Sequence, residues 1–249
     1  MTTESTTGPP TGPATGSRPV RRGSGHRHTV QRYNRRTRWF HSGIYLTVLV
    51  LLVTGWWLRL GREGDPSPLA RVARLPDTVL HTWVGWVLVG LIGLGLLLGA
   101  RAVRTFVLES ARFRRSDLAW FARWPRALWT GAFGWHDGHF DPGQRVANMV
   151  IVGLLAALVG SGVGMTTVHG GSAFVLMVRV HRWSTYLITA VLAGHILITF
   201  LPPGYRGAWR SMHLGGKVPR AVAGRLWPGW LDRTGGAAGR PAEPPEGGR

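Results

Sequence analysis

The sequence predicts an all-α membrane protein: a bundle of four transmembrane helices with both termini in the cytoplasm (N-in/C-in). Three observations predict it. Four stretches, Trp39–Leu58, Thr82–Ala100, Val146–Val168 and Trp183–Leu201, contain no Asp, Glu, Lys or Arg. Each runs about 19–23 residues, enough to cross a hydrocarbon core of about 30 Å. The 30 Lys and Arg residues are unevenly placed: eight between Arg18 and Arg38, eight between Arg101 and Arg145, eight from Arg206 to Arg249, and six in the two other connections. The positive-inside rule puts the three richer segments in the cytoplasm. Finally, four histidines, His41, His81, His181 and His195, stand at the ends of or inside the apolar stretches.

The net charge of +19 would suggest a nucleic-acid partner in a soluble chain. Here the positive charge follows the connections between apolar stretches, so membrane lipid is the expected partner and nucleic acid is not. The absence of cysteine excludes thioether-linked haem, iron–sulfur clusters, thiolate zinc and disulfides. A redox centre must then use His, Met or a non-covalent cofactor.

Residues 1–31 form an extension rich in Thr, Gly, Pro, Ser and Arg, expected to be disordered. It does not read as a signal peptide, because the apolar run after it is too long and no small-residue cleavage site follows. Span one covers about 39–58, with Trp39 and Trp56–Trp57 as interfacial anchors. Gly61, Pro66, Pro68 and Pro76 make 59–76 a turn-rich periplasmic loop. Span two covers about 78–100 and is rich in glycine, which allows close approach of a helix or a flat ligand. In the basic connection 101–145, residues 111–129 are expected to form an interfacial helix, with Trp120, Phe121, Trp124 and Trp129 against the bilayer. Span three covers about 145–167. Span four covers about 175–201 and is stopped by Pro202–Pro203. The expected organisation is extension 1–31, membrane domain 32–218, and a basic, partly disordered tail 219–249.

Histidine inside a membrane is costly without a partner. His181 and His195 are fourteen residues apart. On a helix that is about 1400°, some 40° short of four turns, with a rise of about 21 Å. Both imidazoles therefore point to nearly one side at two depths. Chain direction sets His81 and His181 near the periplasmic face and His41 and His195 near the cytoplasmic face, giving the pairs His81/His181 and His41/His195. An iron with two imidazoles is six-coordinate and suited to electron transfer. Zinc and copper also take histidine. Two depth-matched pairs without carboxylate or thiolate suit two haem b groups better. His169 is a rival for the periplasmic pair. His136 and His139, in an H-D-G-H run, are a weaker metal candidate; His213 sits in the basic tail, and His26 and His28 lie in the extension. Arg38 and Arg182, and beside them Arg36, Arg74 and Arg206, are candidates for haem propionates.

These residues resemble the di-haem cytochrome b (gamma) subunit of membrane-bound formate dehydrogenase, a family related to the cytochrome b subunits of nickel–iron hydrogenase and thiosulfate reductase. The resemblance covers about 32–232. It is carried by Arg-Trp-Phe-His at 38–41, Phe-Asp-Pro-Gly-Gln-Arg at 140–145, the His181/His195 pair, Gly-Gly-Lys-Val at 215–218 and Pro-Gly-Trp at 228–230. It implies a bacterial inner-membrane subunit without a catalytic site of its own for formate. Such a subunit passes electrons from iron–sulfur and catalytic dehydrogenase subunits, through two b haems, to menaquinone or ubiquinone near the cytoplasmic face. It also implies that Gln144 and His195 border the quinone site. Asp141 stands where the family has Asn, so it is a second quinone candidate or a proton donor; plain turn chemistry before a helix is the alternative. Arg225-Leu226-Trp227-Pro228 replaces the family's His-His-Pro run. The competing readings are a stand-alone cytochrome b acting on quinone, and a cofactor-free membrane anchor or transporter.

Overall fold

The computed structural model describes residues 29–61 and 64–238. The expectations for residues 1–28 and 239–249 lie outside them. Four long helices are each apolar and long enough to cross a membrane: α1 (Arg35–Leu60), α3 (Asp77–Ser110), α5 (Pro142–Thr167) and α6 (Gly171–Phe200). A short helix, α2 (Pro68–Ala73), sits in the first connection and α4 (Arg115–Thr130) in the second. After α6 come a 3-10 turn at Pro203–Tyr205, α7 (Ala208–His213), α8 (Arg220–Leu226) and α9 (Pro228–Ala238). Strands β1 (Thr29–Gln31) and β2 (Lys217–Pro219) pair antiparallel with Val30 opposite Val218.

Each helix start has a local cause. The Asn34 side chain accepts from the Thr37 N–H at 2.8 Å and opens α1 before the membrane is reached. Asp141 accepts from the Gln144 N–H at 2.8 Å, and Pro142 occupies the first turn of α5. Helix α3 runs ten residues past the end of its apolar stretch. Gly99 is non-helical there (φ −117°, ψ 17°), and the basic segment continues the helix beyond it.

Within the bundle, α1 packs on α3 and α5 on α6, and α3 with α5 joins the two pairs. Glycine sets the closest approaches. A Cβ at Gly95 would enter the Phe40 ring, and one at Gly164 would meet the Met177 sulfur at 2.6 Å. Few span side chains are buried within the protein. The exposed Leu, Val and Trp residues of the spans suit a hydrocarbon solvent, where their exposure has no hydrophobic cost.

The arginine-rich ends of the spans carry a compact cap with a core of its own. Trp120, Ala127, Phe133, Tyr205, Val218, Ala223, Leu226, Trp227, Trp230 and Leu231 form one buried cluster. This corrects two sequence expectations. Trp120 is only 4% exposed and packs inside the protein, with Phe121 and Trp124 against the same cluster, so that face of α4 does not lie on the bilayer. Of the four aromatics, Trp129 is the largely exposed one. Residues 219–238 are not a free tail: α8, α9 and Trp227 between them supply half of the cluster. The physical reason is that distant segments pool their aromatic faces: α4 read alone as interfacial and the last segment as a basic tail, and each covers the other.

Charges tie the cap together. Arg145, 1% exposed, donates to Asp117 at 3.1 Å, to the Arg112 carbonyl at 2.8 Å, to the Phe140 carbonyl at 3.0 Å and to the Asp137 carbonyl. Asp137 receives Arg112, Arg114 and Arg233. Burial pushes its pKa up, but Arg233, the Gly138 N–H and Arg112 outweigh that and hold it below the usual carboxylate range. The Arg32 guanidinium lies over the rings of Trp227 (4.3 Å) and Trp230 (4.4 Å). Gly216 joins α7 to β2 at φ +78°, and its carbonyl accepts from the Arg32 and Tyr33 N–H groups. A Cβ there would run into the Tyr33 carbonyl.

Candidate functional site

At the ends of the spans away from the cap, His81 on α3 and His181 on α6 face each other, with ring centroids 6.2 Å apart and planes at 79°. Each ring is held from the neighbouring helix of its own pair. On α1, the Thr54 hydroxyl donates to the Val50 and Leu51 carbonyls (2.9 and 3.2 Å) and lies 2.8 Å from His81 Nδ1. When its one hydrogen goes to the Val50 carbonyl, the hydroxyl accepts from His81. On α5, the Ser161 hydroxyl donates to the Ala157 carbonyl at 2.6 Å and lies 3.1 Å from His181 Nδ1. The Leu158 carbonyl, an obligate acceptor, lies 3.2 Å from that same Nδ1. The Leu158 carbonyl, which can only accept, puts the His181 proton on Nδ1 and leaves Nε2 for a ligand; Thr54 offers His81 Nδ1 a hydroxyl oxygen in the same role.

The residue after each hydroxyl is glycine. A Cβ at Gly55 would stand 3.3 Å from His81 Cε1, and one at Gly162 would stand 3.4 Å from His181 Cε1. Thr54-Gly55 and Ser161-Gly162 are thus one device used twice. Two imidazoles with bare Nε2 atoms fit the two faces of a haem iron. Imidazole–metal bonds near 2 Å on either side bring the ring centroids to about 6 Å, the spacing seen here. His169, the rival by sequence, is exposed in the connection between α5 and α6.

At the cap end, His41 and His195 are both half-buried. His213 is also there: its ring centroid is 5.8 Å from His41 and 5.5 Å from Tyr45, and it lies within electrostatic reach of both His41 and His195. Among the described residues, His41 Nδ1 is buried without a hydrogen-bond partner, in contrast to Nδ1 of His81 and His181. Arg38, one turn before His41, has a buried Nε without a partner, which suits an anionic group such as a propionate. Arg182 is adjacent to His181 and exposed; Arg36, Arg74 and Arg206 are exposed too.

Asp141 is 3% exposed, and its carboxylate caps α5. Burial is the largest influence on it and outweighs the Gln144 N–H, Arg32 and Arg145, so its pKa rises to about 6. The native state then holds the proton more tightly than the unfolded chain, whose value is near 3.8. Stability from this group is complete below pH 4 and is lost as pH rises through about 6, by about 3 kcal/mol at 1.36 kcal/mol per pKa unit. Asp141→Asn is expected to flatten that decline in thermal melts taken from pH 4 to 7. An unchanged slope would assign the decline to other groups. Gln144, one turn into α5, is half-buried and donates its N–H to Asp141.

The H-D-G-H run serves the cap. His136 Nε2 donates to the Leu226 carbonyl at 2.8 Å, and His139 packs edge-on to Phe140 and Trp230 beside Arg32. Burial lowers both pKa values, to about 4 for His136 with Arg145 adding to it, and to about 3 for His139 with Arg32 and Arg233 adding to it. Among the described residues, no three His, Cys, Asp or Glu side chains group closely enough to hold a bare metal ion.

Reading the sequence missed Thr54, Ser161, their glycines and the placement of His213. Thr54 had a usable signal: it lies about two turns before the end of α1, and His81 about one turn after the start of α3, which puts them at neighbouring depths. His213 had none, because the chain reverses after Pro202–Pro203 by a turn that the sequence does not specify. One cavity, of 650 Å³, lies at the end of α1 away from the cap, against Trp56, Trp57 and Asp65. Another, of 240 Å³, lies between Trp129 and the cap end of α6 at Gly194, Leu197 and Ile198.

A search of curated proteins finds no match. Residues 32–215 match the family model described as prokaryotic cytochrome b561, whose members carry electrons in membranes through haem b, typically two. The match spans about three quarters of the sequence and contains all four span histidines, so the chain belongs to the prokaryotic cytochrome b561 family.

Proposed function

We propose that this protein is the di-haem subunit of a membrane oxidoreductase and passes electrons from an outward-facing dehydrogenase, of the formate dehydrogenase kind, to menaquinone or ubiquinone near the cytoplasmic face. The observation that carries the reading is the facing pair His81/His181 with both Nδ1 protons held by the neighbouring helices. These two residues hold the outer haem. His41 and His195 hold the inner haem, with Arg38 set to meet a propionate. Haem b supplies one-electron chemistry without a vacant coordination position. The chain's own part is to fix the imidazoles, with groups of α1 and α5 against Nδ1 of His81 and His181, and to exclude water from the spans. The fourteen-residue interval on α6 separates the two levels by about 21 Å.

For quinone, the apolar cavity at the cap end of α6 supports the reading: its lining of Trp129, Leu197, Ile198, Leu201 and Pro202 suits a ring that partitions from lipid. Gln144 borders the site from the first turn of α5. Asp141 serves it by capping that turn, and its pKa near 6 also suits a group that gives up a proton at neutral pH. Pyridine haemochrome analysis of the purified protein is expected to give a haem-to-chain ratio near two. A ratio near zero would leave the membrane-anchor reading in its place.

A further inference from the structure

We infer that the two hydroxyl–glycine pairs, Thr54-Gly55 on α1 and Ser161-Gly162 on α5, together tune a single haem, holding its reduction potential below the value the bare imidazoles would give. The inference rests on the reading that His81 and His181 ligate one iron, and it adds residues that carry no ligand themselves. Each hydroxyl has a carbonyl of its own helix to donate to, Thr54 that of Val50 at 2.9 Å and Ser161 that of Ala157 at 2.6 Å. In that arrangement its lone pairs face the imidazole, 2.8 Å and 3.1 Å from Nδ1. An Nδ1–H donating to a fixed acceptor makes Nε2 a stronger donor to a metal and fixes the ring's orientation. Stronger donation favours the oxidised iron, so the potential falls. Glycine at the next position lets the ring lie against the helix, with room for a Cβ only at 3.3–3.4 Å from Cε1.

The device is specific to this end of the bundle. His41 has a buried Nδ1 without a partner, so the inner level has no counterpart on that ligand. Thr54 and Ser161 are positioning residues: they act through the histidines and touch no substrate. Thr54 is fully buried, and valine has nearly its shape, so Thr54→Val removes the acceptor with little change in packing.

The test is a spectroelectrochemical titration of the purified wild type, Thr54→Val, Thr54→Ser and Ser161→Ala, with the haem count measured alongside. Wild type is expected to show two one-electron waves. Thr54→Val and Ser161→Ala, although on different helices, are expected to shift the same wave upward and leave the other in place. Thr54→Ser keeps the acceptor and is expected to match wild type. The smaller shift belongs to Ser161→Ala, since the Leu158 carbonyl still accepts from His181. Should Thr54→Val bind one haem fewer while Thr54→Ser binds two, the role of the hydroxyl also stands. Two haems retained with both waves unmoved, shifts in different waves, or a Thr54→Ser shift equal to that of Thr54→Val would overturn the inference while leaving the di-haem reading intact. A wild type without haem would instead remove the reading beneath it.

Discussion

His181→Ala is expected to lower the haem-to-chain ratio from two to one and leave the spectrum of the remaining haem unchanged. His81→Ala is expected to remove the same haem, because the two rings face each other at 6.2 Å and share one site. The effects therefore do not add: the double variant His81→Ala/His181→Ala is expected to keep one haem, as each single variant does. Combining His81→Ala with His195→Ala, at the other level, is expected to leave none. The non-additivity is the informative part, since residues acting on one centre show coupled effects. His169 is exposed and outside this pair, so His169→Ala is expected to keep both haems. Haemochrome quantification with low-temperature difference spectra reads all five proteins. A double variant at one level that loses both haems would disprove the assignment by depth.

Arg145→Ala is expected to have the largest effect on stability, about 3–5 kcal/mol, the usual cost of removing one partner from a buried ion pair. Arg145 and Asp117 have side chains 1% and 4% exposed, 3.1 Å apart. Truncation leaves the Asp117 carboxylate with the Arg114 N–H as its remaining hydrogen-bond donor and strips a donor from the carbonyls of Phe140, Arg112 and Asp137. Adding Asp117→Asn to Arg145→Ala is expected to restore part of the loss, because a neutral amide is less costly to bury than an unpaired carboxylate. Arg145→Lys is expected to fall in between: it keeps the charge but loses the planar fork that reaches several carbonyls at once. Tryptophan fluorescence during thermal unfolding in detergent follows this, since Trp120, Trp227 and Trp230 lie in the cap core. A change below about 1 kcal/mol would mean that the cap does not depend on this pair.

The cap shows where reading the chain linearly stopped working. Trp120, Phe121 and Trp124 recur on one face of α4, and facing a bilayer or facing protein leaves the same pattern in the sequence. The face is covered because Tyr205, Leu226, Trp227 and Trp230 arrive from a segment 81–110 residues away, through turns set by Gly204, Gly207 and Gly216. The Asp141-Pro142-Gly143 run was ambiguous for a similar reason. It reads equally as a quinone contact and as a helix start. The fold makes it a cap, and a Cβ at Gly143 would press on the Trp120 ring at 2.9 Å. His213 belongs to the same group, since nothing local brings a tail residue back to His41.

Four spans were legible in the sequence alone, and from it came the expected N-in/C-in orientation and the expected two histidine levels. Each depends on a local quantity: run length against bilayer thickness, the count of arginines per connection, and rise per residue along a helix. Only the tertiary structure decided which side chains hold the Nδ1 protons of His81 and His181, that a third imidazole stands beside His41, and that the inner connection and the tail close into one aromatic core. Those are contacts between segments far apart in the chain. Their geometry depends on how α1 meets α3 and α5 meets α6, to within tenths of an ångström, which no periodicity or composition encodes.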